Sequence, residues 1–75
     1  MKSVKGYHKL YNKQKKLFDE TYKKHLVSLD AEERVDYMES QLREVSAEAI
    51  NIIRVSFNNG KSFLYLKDNK WTELP

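Results

Sequence analysis

From residue 7 to residue 29 the apolar side chains recur with a helical period. Tyr7, Leu10, Tyr11, Leu17, Phe18, Tyr22, Leu26 and Leu29 fall on one half of a helical wheel. The other half is lysine: Lys5, Lys9, Lys13, Lys16 and Lys23, interrupted by Glu20. Asp19 and Glu20 stand four residues from Lys15, Lys23, Lys16 and Lys24, the spacing at which opposite charges support a solvated helix face. Gly6 lies at or before the start, and Ser28-Leu29-Asp30 closes the pattern. A helix over residues 7–27 is predicted.

Asp30 and Glu33 have the spacing of a capping box, in which each side chain satisfies a backbone N–H that a new helix leaves unpaired. Ala31, Val35, Met38, Leu42 and Val45 then form a narrow apolar stripe, with Glu32, Asp36, Glu39 and Arg43 outside it. A second helix over residues 31–46 follows from that spacing. Ala49 and Ile52 continue its period, but Ile50, Ile52 and Ile53 are β-branched and favour a strand, so the change of structure is placed at residues 46–49.

Beyond that point the pattern alternates, and strands are expected over residues 50–57, 62–67 and 71–74. Asn59-Gly60 suits a two-residue type I′ hairpin, in which both central residues need positive φ. That turn pairs Asn58 with Lys61, Ser56 with Phe63 and Val55 with Leu64. Asp68-Asn69 makes a second turn and pairs Leu66 with Trp71. One sheet face then holds Ile53, Val55, Phe57, Leu64, Leu66 and Trp71; the other holds Ile52, Arg54, Phe63, Tyr65 and Leu74. The expected fold is α+β, a single domain over residues 1–75 in which two N-terminal helices, a helical hairpin, pack on a three-stranded antiparallel β-meander. The helices cover the first face and leave the second open.

Seventy-five residues are near the lower limit for burying a self-sufficient core, so association with another chain is a natural supplement. The sequence has no cysteine, which removes disulfides and thiolate metal sites and fits a cytoplasmic setting. The first ten residues lack the apolar run of a signal peptide, and no stretch reaches the length of a membrane span. The net charge of +3 conceals an asymmetry: residues 1–27 carry +6, residues 28–50 carry −5 and residues 51–75 carry +2. Two readings follow, a basic helix attracted to an acidic one or a basic helix that meets a polyanion. Abundant lysine and asparagine are compatible with an AT-rich bacterial or phage genome.

Little in the chain points to chemistry. His8 and His25 are 17 residues apart on one predicted helix, too far for joint ligation, and His25 sits in the apolar stripe beside Tyr22 as a packing residue. Glu32, Glu33, Asp36 and Glu39 line an outer helix face without a cleft to perturb them. Gly6 and Gly60, the only glycines, form no phosphate-cradling loop. No enzyme activity, cofactor or metal is expected. The expected function is a non-enzymatic protein-binding module, a homodimeric regulator or an inhibitor of a larger protein. Its contact surface is the open face of Ile52, Arg54, Phe63, Tyr65 and Leu74, with the two aromatics as anchors.

The alternative is non-specific nucleic-acid binding through Lys5, Lys9, Lys13, Lys16 and Lys23, since a lysine row neutralises phosphates. Its specificity would be low, because the basic segment has no arginine to read bases bidentately. The order of elements also resembles that of the small ribosome-dependent ribonuclease toxins, which pack a helical hairpin on an antiparallel sheet. That resemblance implies basic and aromatic site residues at the end of the sheet, for which Arg54, Lys61 and Tyr65 are the counterparts, although the leading strand of that fold is missing.

Overall fold

The computed structural model describes residues 4–75. Helix α1 spans Asn12–Ser28 and buries Gln14, Phe18, Thr21, Tyr22 and His25 along one side, the face that the apolar period marks out. It begins later than expected. Tyr7–Lys9 is a separate 3₁₀ turn, and Leu10 is extended and buried, so the chain breaks before α1 starts. The Tyr11 amide N–H donates to Gln14 Oε1 at 2.8 Å, satisfying a donor that the helix start leaves free.

After Ser28, Asp30 caps a helix as its position predicts, accepting from the Glu33 amide at 2.9 Å. That helix, α2, is a single turn, Ala31–Arg34. Two 3₁₀ turns follow, Val35–Tyr37 and Glu39–Gln41, and then strand β1, Leu42–Ala49. The expected second helix over residues 31–46 is therefore corrected: the fold has one long helix, one short helix and four antiparallel strands in a single sheet. The misleading signal was the spacing of Leu42 and Val45. Three residues apart, they cannot share a face of a regular strand, whose period is two. A bulge between Leu42 and Glu44 inserts Arg43 and turns both apolar side chains to the same side. The rest of the stripe is not a buried face, since Val35 is 59% and Met38 49% exposed.

The sheet is a meander of β1, β2 (Ile52–Phe57), β3 (Ser62–Leu66) and β4 (Lys70–Glu73), in that order. Both later turns fall where expected but each has one more loop residue. In the first, the Gly60 amide bonds to the Phe57 carbonyl at 3.1 Å and the Phe57 amide to the Lys61 carbonyl at 2.9 Å. Asn58, Asn59 and Gly60 thus form a three-residue loop. Of these only Gly60 has positive φ, at 89°, as in a turn closed by a left-handed glycine. In the second, Asp68 and Asn69 are both left-handed, with φ of 66° and 57°, and Lys67 is the extra residue.

The consequence is a register shift of one residue at each hairpin. Val55 pairs with Phe63 and Ile53 with Tyr65; Tyr65 pairs with Trp71 and Leu66 with Lys70. A one-residue shift exchanges the faces of a strand. The first shift reverses β3, and the second restores β4 to the side assigned from the alternation. Phe63 and Tyr65, expected on the open face, therefore face the helix, while Leu64 and Leu66 take the open face.

The core lies between α1 and this sheet face. Phe18 stacks on Tyr22 and Tyr65, with ring centres 5.6 and 5.8 Å apart, and Tyr7 meets Phe18 edge-on at 5.9 Å. Val45, Ile53, Val55 and Phe57 complete it from the strands, and Val4 and Leu10 from the N-terminal segment. That segment is stitched to the edge of β1, with the Val45 amide bonded to the Lys5 carbonyl at 2.9 Å. Gly6 is required here: its φ is +89°, and a Cβ would stand 2.0 Å from the Val45 carbonyl oxygen.

Candidate binding surfaces

The covered face is built around His25. Its ring centre lies 4.6 Å from that of Phe63, 5.1 Å from Trp71 and 5.7 Å from both Tyr37 and Tyr65. Nδ1 is 2.8 Å from the Tyr65 hydroxyl. Burial lowers the His25 pKa below the ordinary histidine value, partly opposed by the carboxylate of Glu73. Burial likewise raises the phenol of Tyr65, and that of Tyr22, whose hydroxyl donates to the Tyr37 carbonyl. These groups are buried, with partners for His25 Nδ1 and for the hydroxyls of Tyr65 and Tyr22. His25 is a packing residue held in one orientation, not an accessible acid or base.

The opposite face has no buried side chain. Every buried strand residue, Leu42, Val45, Ile53, Val55, Phe57, Phe63 and Tyr65, points to the helix side. By alternation from the observed register, the open face carries Ile52, Leu64, Leu66 and Leu74, all half-buried, together with Ser56, Ser62 and Thr72. Leu74 is held beside the sheet by its amide, which bonds to the Ser62 carbonyl at 2.8 Å. Ser56 and Ser62 oppose each other with hydroxyl oxygens 3.2 Å apart. Charge on this face is divided. Glu44 and Glu48 lie on β1, where Glu48 pairs with exposed Arg54 at 3.6 Å, and Lys70 lies on β4.

Of the five residues expected to bind a partner, Ile52, Arg54 and Leu74 are on the open face. Phe63, 6% exposed, and Tyr65, fully buried, are in the core and cannot anchor a contact made by the folded protein. Leu64 and Leu66 occupy the positions that those aromatics were expected to fill. The signal that could have found them is the loop length: glycine as third loop residue gives the other register. The same burial takes Tyr65 out of any site at the end of the sheet, and the absence of a helical hairpin removes the topological ground for the comparison with ribonuclease toxins.

The basic surface lies on the helix side of the molecule. Lys5, Lys9, Lys13, Lys16 and Lys23 are all exposed, as is Lys24. The expected pairs with Asp19 and Glu20 do not form. Asp19 instead accepts from the Tyr7 hydroxyl at 2.9 Å, and Lys15 lies over the Tyr7 ring at 5.4 Å. The ion pairs between described residues are Arg54–Glu48 and Lys61–Glu73, at 3.6 and 3.4 Å, and neither involves α1. Nor does the acidic segment lie as a helix against the basic one. Beside α1, Lys13, Lys16, Leu17 and Glu20 face Asn51, Lys67, Asp68 and Asn69 across a groove of about 270 Å³.

Among the described residues no group of histidine, cysteine, aspartate and glutamate side chains is placed to hold a metal ion. No described helix is long and apolar enough to cross a membrane. Comparison with family models, with curated proteins and with solved structures finds no match.

Proposed function

We propose that the protein is a non-enzymatic binding module of the regulator or inhibitor kind that works as a homodimer, with the open sheet face of one copy stacked on that of another. The observation that supports this best is the row of Ile52, Leu64, Leu66 and Leu74 on a face where no side chain is buried. A second copy fits because the face is complementary to itself. Its aliphatic residues run from Ile52 on β2 through Leu64 and Leu66 on β3 to Leu74 just past β4, its β1 edge is acidic through Glu44 and Glu48, and its β4 edge carries Lys70. A twofold axis along the strands lays β2 over β3 and the acidic edge over the basic one, in an isologous contact between face-packed sheets.

Closing the four aliphatic side chains would stabilise the pair by roughly 1 kcal/mol each on both copies. The cost of association takes back at least half of that, leaving a dimer of about millimolar strength. A cysteine-free chain suits the cytoplasm as its setting.

Sedimentation from micromolar to millimolar concentration tests the reading. The native protein should pass from monomer to dimer as concentration rises, and Leu64→Glu should remain a monomer with its far-UV spectrum and melting temperature, measured when dilute, little changed. A native protein that stays monomeric at the highest concentration would sink the proposal, as would a Leu64→Glu variant that still dimerises.

A further inference from the structure

We infer that the solvent face of α1 and the adjoining β3–β4 turn form a sequence-independent seat for the phosphate backbone of double-stranded nucleic acid. Lys13, Lys16, Lys23 and Lys24 project from the exposed side of one rigid helix, and Lys67 joins them from across the groove. None is held in an ion pair with a described residue, so no internal pairing has to break before they meet phosphate. Glu20 stands among them on the helical wheel, four residues from Lys16 and Lys24, while Asp19, at their margin, accepts from the Tyr7 hydroxyl. Glu20 and Asp68 do line the groove, and the three lysines there outnumber them. Asn51 and Asn69 add amide groups at the same place, which suits phosphate and sugar oxygens.

The form of nucleic acid follows from what the surface lacks. Single strands are gripped by stacking bases on exposed aromatic rings, whereas Phe18 and Tyr22 on this helix are buried and exposed Tyr11, at its start, falls on the side of the wheel away from the lysines. Base-edge reading favours arginine or amide side chains presented in a groove, and α1 has no arginine. What remains is a row of point charges, suited to a regular backbone and indifferent to sequence. This surface lies on the side of the molecule away from the open sheet face, so it stands or falls independently of dimerisation.

Fluorescence anisotropy with a labelled duplex of mixed sequence provides the test. Five phosphate contacts, one for each of these lysines, give a log–log salt slope of about −4.5, and so a loss of about 500-fold in affinity between about 50 and 200 mM salt. The triple variant Lys13→Gln, Lys16→Gln, Lys23→Gln should retain its far-UV spectrum and reduce the slope to about −2, with at least a tenfold weaker complex at low salt. Lys61→Gln, at the opposite end of β3, should behave as the native protein. Absence of duplex binding at the lowest salt overturns the inference. So does duplex binding that the triple variant leaves unchanged, or binding to phosphatidylserine vesicles without binding to duplex.

Discussion

The covered face of the sheet carries more apolar residues than the open face, and the two differ in kind. The covered face presents Phe57, Phe63, Tyr65 and Trp71 with β-branched Val45, Ile53 and Val55 between them, while the open face presents Ile52, Leu64, Leu66 and Leu74 among hydroxyls and charges. On β3, where every side chain from Phe63 to Leu66 is apolar, a pattern that scores only apolar against polar cannot separate them. Size and shape do: rings from β2, β3 and β4 reach across to His25 and Phe18 on a single helix, where aliphatic side chains would leave gaps beneath it. The helix closes that face with help from Tyr37 and from Val4 and Leu10, its own buried side contributing Phe18, Tyr22 and His25.

The sharpest way to break the comparison is to place the same charge at adjacent positions of β3. Phe63→Asp puts an unpaired carboxylate among the rings of His25, Tyr37 and Phe57, and leaves the space of a lost phenyl group. The expected cost is about 4 kcal/mol or more, enough to unfold a small domain, and a chemical-denaturation series would show no cooperative transition. Leu64→Glu, one residue along, should stay within about 1 kcal/mol of native. Equal losses at the two sites would mean that the open face is also packed.

A smaller effect comes from pH. His25 is neutral in the folded protein because burial lowers its pKa, and Nδ1 sits against the Tyr65 hydroxyl. The unfolded chain regains the ordinary affinity for a proton, near 6.5. Stability contributed by the neutral ring is complete above that value and declines as pH falls toward the lowered folded value, at no more than about 1.4 kcal/mol per pH unit. Thermal melts between neutral pH and the onset of carboxylate titration should record that decline, and His25→Gln should flatten it. A native curve that is already flat would place the imidazole in a wetter site than its five aromatic neighbours imply.

How much of this could be read in the chain depends on which interactions decide each element. α1 was legible because its period is local, and Asp30 marked a helix start because capping needs only neighbouring residues. β1 was not. Its glutamate, alanine and arginine content favours a helix, and pairing with β2 overrode that preference through contacts the local sequence does not contain. Positions of both later turns were legible, but their registers were not, since Asn59-Gly60 serves either as the two centres of a tight turn or as the last two residues of a longer loop. For the surfaces, Ile52, Arg54 and Leu74 followed from alternation within their own strands, and only β3, between the two shifted turns, was assigned the wrong way round.

The smallest predicted effect tests what sets that register. Gly60 holds φ at 89° with nothing within 4 Å of a Cβ, so Gly60→Ala meets no steric obstacle and pays only for the left-handed backbone. The cost should be about 1 kcal/mol in a chemical-denaturation midpoint, with the transition still cooperative. Because the loop residue is left-handed and exposed, Gly60→Asn should recover part of that loss, asparagine tolerating this conformation better than alanine. If alanine and asparagine behave alike and neither weakens the protein, the hairpin does not need a left-handed residue there, and the burial of Phe63 and Tyr65 against the helix, rather than the loop, selects which face of β3 is covered.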